Sequence, residues 1–284
     1  MSGSNEIDYV LGTHDAEIGR LQLQHGIWRA LVHDCWKRAG ISKGQRVVDI
    51  GCGPGFASID LAEVVGPGGE VIGIERSERF IEYAKALCQS RGLNSVSFQH
   101  ADVMTDELAM QGADAIWCRW LAIFVPDPAL LVRKMAAALK PGGKLIFHEY
   151  VHYETYQSVP PSRPLEEFVQ QVMVSWREFG GEPNVARNLP DHLAAAGCRV
   201  LETRPISFSA QPHDPVWQWP ASFIDINLQR LLELGRVDQA WVDSVKADVR
   251  ALQDNPNALL ITPMVLEIIA EKTGCIPVKS AATD

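Results

Sequence analysis

The sequence predicts an α/β fold: a doubly wound, mostly parallel, seven-stranded sheet carrying helical cap insertions. Three observations lead there. Short β-branched runs alternate with helical stretches from Gln45 to Lys144. The links between them are tight Gly/Pro turns, as at residues 66–69 and 141–143. The first run, Arg46-Val47-Val48-Asp49-Ile50, breaks directly into Gly51-Cys52-Gly53-Pro54-Gly55. Alternation of this kind gives parallel strands joined by right-handed crossovers, with a ligand crevice beyond the carboxyl ends of the strands, a Rossmann-like arrangement. Glycines without Cβ let backbone approach a ligand closely, and the helix that follows points its first amides at it.

Ahead of the first strand, Ile18, Leu21, Leu23, Ile27, Trp28, Leu31, Val32 and Trp36 recur at a largely helical spacing, which predicts one or two amphipathic helices over residues 14–39. Tyr9, Gln24, His25 and His33 are the polar groups that such a cap can turn toward a ligand. Strands follow at 47–50, 70–75, 96–100, 113–118 and 144–150, separated by helices at 56–65, 77–90 and 128–139. Ser77 is the expected N-cap of the second of these helices. After Tyr150 the rhythm changes to a Pro- and aromatic-rich stretch with one helix over 165–179. A helix at 189–196, stopped by Gly197, leads into a sixth strand over 199–208. Two helical patterns, 223–234 and 237–252, form another insertion, and the apolar run 258–269 supplies the closing strand. The expected organisation is a helical cap at 1–40, a core at 41–150, a cap insertion at 151–184, core again at 185–210, a helical cap insertion at 211–255, and the closing strand and tail at 256–284.

Composition narrows the partners. The chain has 284 residues, 46% hydrophobic and 21% charged, enough to bury a substantial core. A net charge of -9 opposes a role in neutralising nucleic-acid phosphates and points to a small-molecule partner. The six cysteines show no CxxC or Cys/His spacing, so neither zinc nor a disulfide framework is expected, and no metal site is assigned. No basic leader followed by an apolar stretch and no run of 18 apolar residues occurs. The expectation is a cytoplasmic protein without a membrane span, for which a homodimer is an admissible assembly.

The glycine loop is tested by its neighbours. Glu75 ends the second strand 24 residues after Gly51, where a carboxylate can accept from both hydroxyls of a ribose. Asp102 and the amide of Val103 follow the third strand, suited to an adenine edge. A dinucleotide fingerprint needs glycine at position 56, and Phe56 stands there, so no pyrophosphate is expected and an NAD-dependent oxidoreductase becomes the distant alternative.

The set Val-Val-Asp-Ile-Gly-Cys-Gly-Pro-Gly, Glu75, Asp102, Leu-Ala-Ile-Phe-Val-Pro-Asp-Pro at 121–128 and Leu-Lys-Pro-Gly-Gly at 139–143 resembles the class I S-adenosylmethionine-dependent methyltransferases. Within that class it is similar to the branch holding the ubiquinone/menaquinone-biosynthesis and small-molecule enzymes, over about residues 42–150. The resemblance implies S-adenosyl-L-methionine as cofactor. Gly51 and Gly53 would pass under its methionine part, Asp49 would anchor the loop near the amino group, and Glu75 would clasp the ribose. Arg76 would flank the adenine, with Asp102 and Val103 on its polar edge. The backbone near Cys118 and Arg119 would meet the ammonium group and sulfonium end, and Gln24 would join from the cap.

Methyl transfer is an in-line displacement, so alignment and exclusion of water are the protein's main tasks. The cap segments carry Trp28, Trp36, Trp176, Trp217, Trp219 and Trp241, besides Tyr153, Tyr156, Phe168 and Phe223. That surface predicts a pocket for a small apolar or aromatic acceptor, with Trp28, Tyr150, Tyr153, Trp176 and Trp217 lining it. If a general base is used, His148 and His152, in His-Glu-Tyr-Val-His-Tyr at the end of the fifth strand, are the candidates. A protein that binds the cofactor and acts as a regulator without transfer is the alternative from another class, and the intact loop opposes it.

Overall fold

The structure, a computed structural model, describes residues 15–108 and 110–274. Tyr9 lies outside them. The central sheet has seven strands: β1 (Arg46–Ile50), β2 (Glu70–Glu75), β3 (Val96–His100), β4 (Ala113–Arg119), β5 (Leu139–His152), β7 (Cys198–Ile206) and β10 (Met264–Lys272). Their spatial order is β3-β2-β1-β4-β5-β10-β7. The first five pair in parallel, and β10 runs antiparallel to both β5 and β7. The fold expectation of a mostly parallel, seven-stranded sheet therefore holds. Chain order reverses at β1, which lies between β2 and β4, and a crevice opens beyond the carboxyl ends of strands at such a switch point. β1 is buried over Val47 to Ile50, as a run apolar on both faces requires.

Helices α2 (Phe56–Val65), α3 (Glu78–Ser90), α4 (Pro128–Ala138) and α6 (Leu189–Ala195) belong to the alternating part of the chain. Ser77 Oγ accepts from the Phe80 amide, the predicted N-cap, and Asp127 does the same for Leu130 with Pro128 in the first turn. α1 (Asp15–Arg38), α5 (Arg163–Glu178), α7 (Gln218–Glu233) and α8 (Gln239–Asp254) lie outside that alternation, and α7 packs against α1, α5 and α8. Among the described residues no helix is long and apolar enough to cross a membrane.

The N-terminal pattern forms a single helix, α1, within the expected one or two. Three boundaries depart from the sequence reading. β5 starts at Leu139 and runs to His152, with its Pro-Gly-Gly turn absorbed as an irregularity in the pairing with β4. α7 begins at Gln218, five residues before Phe223, because Pro220 sits in the first turn, where no intrahelical N–H is needed. The closing run is split: Leu259–Ile261 forms β9, and Pro263, which cannot donate to a ladder, separates it from β10. β9 instead pairs with β6 (Gln157–Val159) and β8 (Ser209–Ala210) in a small antiparallel sheet.

A buried polar lock ties α1 to the sheet. Glu267 of β10 bonds Nε2 of His148 at 2.8 Å and accepts from Arg38 of α1. Arg38 and His148 hold the Glu267 carboxyl well below its ordinary range, at about 2, against the opposing effect of burial. Cys35 brings its sulfur into the same group, whose potential ligand atoms lie within 4.8 Å of one another, and the Arg38 guanidinium already supplies the positive charge there.

Candidate functional site

A cavity of about 1070 Å³ lies beyond the carboxyl ends of β1, β2 and β4. This is the upper end of the ~300–1,000 Å³ range of small-molecule sites, and it suits two ligands side by side. Asp49, Gly51, Gly53, Glu75 and Arg76 line it, with Asp102 and Val103 from the end of β3 and Arg119 from the end of β4.

The glycine loop is shaped by positive φ at Gly51 (69°) and Gly53 (53°). A Cβ at Gly51 would stand 3.0 Å from Leu121, so any larger residue would push into the wall. At Gly53 nothing lies within 4 Å of that position, which leaves bare backbone open to a ligand. Glu75 holds the loop from below. Its Oε2 accepts from the Gly53 amide at 2.9 Å, and its Oε1 accepts from the amides of Arg76 (2.8 Å) and Ser77 (2.9 Å). Burial nevertheless pushes its carboxyl above the ordinary value. Asp49 accepts from Ser58 Oγ at 2.6 Å and is raised to about 6 by burial. Glu75 Oε1 is filled by its two amides, while Glu75 Oε2 and the Asp49 carboxylate keep lone-pair capacity beyond these bonds. Asp102 accepts from the Met104 amide at 2.8 Å in a turn, and Arg76 Nη1 stands 3.9 Å from its Oδ2.

Arg119 borders the cavity with its guanidinium 5.1 Å from the Trp120 ring. Nη2 donates to Nδ1 of His25 at 3.1 Å. An arginine only donates, so Nδ1 is the acceptor and the His25 proton sits on Nε2, which reaches Asp60 at 3.1 Å. Burial keeps His25 below its usual pKa. Asp60, on α2, also receives Arg29 (2.7 Å) and His33 (2.8 Å), so α1 is clasped to α2 through one carboxylate. Nη1 of Arg119 is buried with no hydrogen-bond partner among the described residues, and burial lowers the guanidinium to about 10. One turn before His25, Arg20 forks onto Glu17 and reaches Oε1 of Gln24 at 2.9 Å, and the same oxygen accepts from Trp219 Nε1 at 3.0 Å. The Gln24 NH2 group remains for a ligand.

The other half of the cavity is aromatic. Trp120 has φ 52°, a left-handed conformation that costs a bulky residue on the order of 1–3 kcal/mol. It is held there by its own amide donating to the His148 carbonyl and by Glu149 Oε1 accepting from the amides of Leu121 and Ala122, each at 2.9 Å. Glu149 is fully buried and its carboxyl is raised to about 8. The strain places the Trp120 ring in a stack between Tyr150 (5.9 Å) and Trp219 (5.8 Å). Phe124, Trp176 and Phe223 continue the wall, with Trp176 5.2 Å from Phe124 and 5.9 Å from Phe223.

Several sequence-predicted residues stand elsewhere. His148 is fully buried behind the wall, its ring 4.7 Å from Trp117 and bound to Glu267: it shares the β5 face that carries Tyr150 but lies two residues further from the strand end, in a layer packed beneath Trp28 of α1. His152 lies past the cavity, its side chain 53% exposed and paired with Glu154 at 2.9 Å. The expected histidine base is thereby corrected: neither imidazole lines the cavity. Trp28, Tyr153 and Trp217 are buried core residues; Trp28 is enclosed edge-to-face by Trp120, Phe208 and Trp219. Cys118 is buried against Glu149, one residue inside the cavity edge. Gln24, Tyr150 and Trp176 do line it. The sequence reading missed Arg20, Phe56, Trp120 and Arg230. The i, i+4 spacing of Arg20 and Gln24, and of Trp120 directly after a strand end, were the available signals.

Comparison with known proteins agrees with this geometry. A family model described as a methyltransferase domain matches residues 41–186, just over half of the chain. A demethylmenaquinone methyltransferase of Anoxybacillus flavithermus is 27% identical over 201 residues, 65% of this chain and 81% of the relative. One of Lactococcus lactis is 32% identical over 129 residues, covering 45% of this chain but only 50% of the relative's length. Phosphoethanolamine N-methyltransferase 2 of Haemonchus contortus, solved with S-adenosyl-L-methionine, shares the fold with a TM-score of 0.54 at 18% identity, over 86% of this chain and 53% of that one.

Proposed function

The chain belongs to the methyltransferase-domain family and is an S-adenosyl-L-methionine-dependent methyltransferase of small molecules; from that premise we propose that its acceptor is an aromatic or similarly flat apolar molecule seated against Trp120, Tyr150, Trp176 and Phe223. One observation carries the reading: the glycine loop and this aromatic wall border the same cavity.

The residues present suit the cofactor. The Glu75 carboxylate, fixed by three backbone amides, has Oε2 left to accept from a ribose hydroxyl. The open backbone at Gly53 and the rim of Asp49 take the methionine part, and the unsatisfied Nη1 of Arg119 together with the Gln24 NH2 group suits its carboxylate. Arg76, Asp102 and Val103 are assigned to the adenine end. When bound, S-adenosyl-L-methionine supplies an electrophilic methyl group on a sulfonium. The chain's own contribution is to orient the acceptor by ring stacking and to keep water out. Among the described lining residues of the aromatic half there is no carboxylate and no imidazole, so the acceptor's own nucleophile is the attacking group, without a protein base. This reading extends to a cytoplasmic location and a homodimer, which fractionation and light scattering read out.

Incubation with labelled S-adenosyl-L-methionine and a panel of phenols, quinols and aromatic amines tests the proposal. Transfer of label to a member of the panel is expected. Cofactor binding without transfer to any of them would favour the regulatory alternative.

A further inference from the structure

The carboxylates that line the cavity are confined to one half of it. The lining carboxylates Asp49, Glu75, Glu78 and Asp102 all belong to the cofactor half, at the ends of β1, β2 and β3 and the start of α3. The aromatic half offers donors. Trp120 Nε1 is buried without a partner, and Arg230 of α7 lines the same region. Arg230 follows Phe223 by seven residues, two helical turns or about 10 Å along one face of α7, so both belong to the wall while standing apart. Its charge is poorly engaged. Nη1 stands 3.6 Å from Glu233 on the same helix, beyond hydrogen-bonding distance, and Nε is buried with no partner among the described residues. By contrast, Arg20, which also lines the cavity, is forked onto the buried Glu17 at 2.7 and 2.8 Å.

Resting on the methyltransferase reading, we propose that the acceptor is an aromatic acid, whose ring lies against Trp120, Trp176 and Phe223 and whose carboxylate, remote from the methylated atom, is held by the guanidinium of Arg230. A planar guanidinium edge matches a carboxylate in a two-bond fork, which completes what Glu233 leaves unfinished. Among the described residues no carboxylate lines this half, and the one carboxylate beside Arg230, Glu233 at 3.6 Å, stands outside the lining.

Calorimetry of the full-length protein saturated with S-adenosylhomocysteine tests this with two probes that share one ring and one hydroxyl: 6-hydroxy-2-naphthoate, and 2-naphthol, which lacks the carboxylate. The wild type is expected to bind the naphthoate at least about tenfold more tightly. Arg230→Gln should reduce that preference to within about twofold, Arg230→Lys should restore part of it, and neither should change S-adenosylhomocysteine affinity. A wild type that binds both probes equally, prefers naphthol or binds neither overturns the proposal, as does a preference that survives in Arg230→Gln. Failure of S-adenosylhomocysteine itself to bind would instead overturn the cofactor reading, so the two failures are told apart in one titration series.

Discussion

Arg119→Met separates what the buried guanidinium does for the fold from what it does for the ligand. The fold carries it at a cost: its pKa falls from 12.5 to about 10, mainly through burial, with the attraction of Asp49 and Asp60 opposing. Two and a half units correspond to about 3 kcal/mol spent in keeping the group charged, at every pH below about 10. Replacing it with Met forfeits the donor to His25 at 3.1 Å, about 1 kcal/mol, and the contact with the Trp120 ring at 5.1 Å, about 0.5–1 kcal/mol. The ligand-free variant should therefore be as stable as the wild type or more stable by about 1 kcal/mol, a rise of about 2–4 °C in Tm. The same change removes the donor assigned to the cofactor carboxylate, worth about 2–4 kcal/mol, so the Kd for S-adenosylhomocysteine should rise on the order of 30- to 1,000-fold. Thermal unfolding with and without S-adenosylhomocysteine reads both effects. A variant that melts several degrees below the wild type while keeping its Kd would refute the reasoning, because Arg119 would then be a structural residue and no ligand anchor.

Two further substitutions test the buried carboxylates. Glu149 is raised from 4.5 to about 8, so its contribution is fully present below about pH 4.5 and fades as pH rises through 8. Glu149→Gln, which keeps an acceptor for the Leu121 and Ala122 amides, should flatten that dependence and exceed the wild type in stability at pH 9; urea midpoints at pH 6 and 9 that shift equally in both proteins would contradict this. Glu267 is depressed from 4.5 to about 2, so its contribution is present above pH 4.5 and is lost as pH falls toward 2. Glu267→Gln should cost about 3 kcal/mol at pH 7, with the gap to the wild type closing between pH 4.5 and 2; a gap independent of pH would show that the lock with Arg38 and His148 is not the source.

The sheet and the glycine loop were legible because their signals are local: short β-branched runs, Gly/Pro turns and a carboxylate at a strand end. The closing strand was not fully legible, because a run of apolar residues does not reveal that Pro263 hands its first part to a second sheet. His148 misled for a related reason. It lies near the crevice on the same face of β5 as Tyr150, but two residues deeper, where Trp28 of α1 and Trp117 of β4 enclose it. Of the cap tryptophans expected at the pocket, Trp28 and Trp217 are core and Trp176 reaches the wall, which Trp120, in a left-handed conformation that composition does not announce, also forms. Arg119 was found by position, but its side-chain role depends on His25 and Asp60, 94 and 59 residues away in sequence, which only the folded chain brings together.

Titration calorimetry of S-adenosylhomocysteine bears most directly on the central claim, that the cavity beyond β1 and β2 is the cofactor site. The account predicts binding at one site per chain, an affinity at least about tenfold weaker in Glu75→Gln, which loses an acceptor at the ribose, and an unchanged affinity in His152→Ala, whose side chain lies outside the cavity. Absence of binding in the wild type, or equal binding in Glu75→Gln, would contradict it.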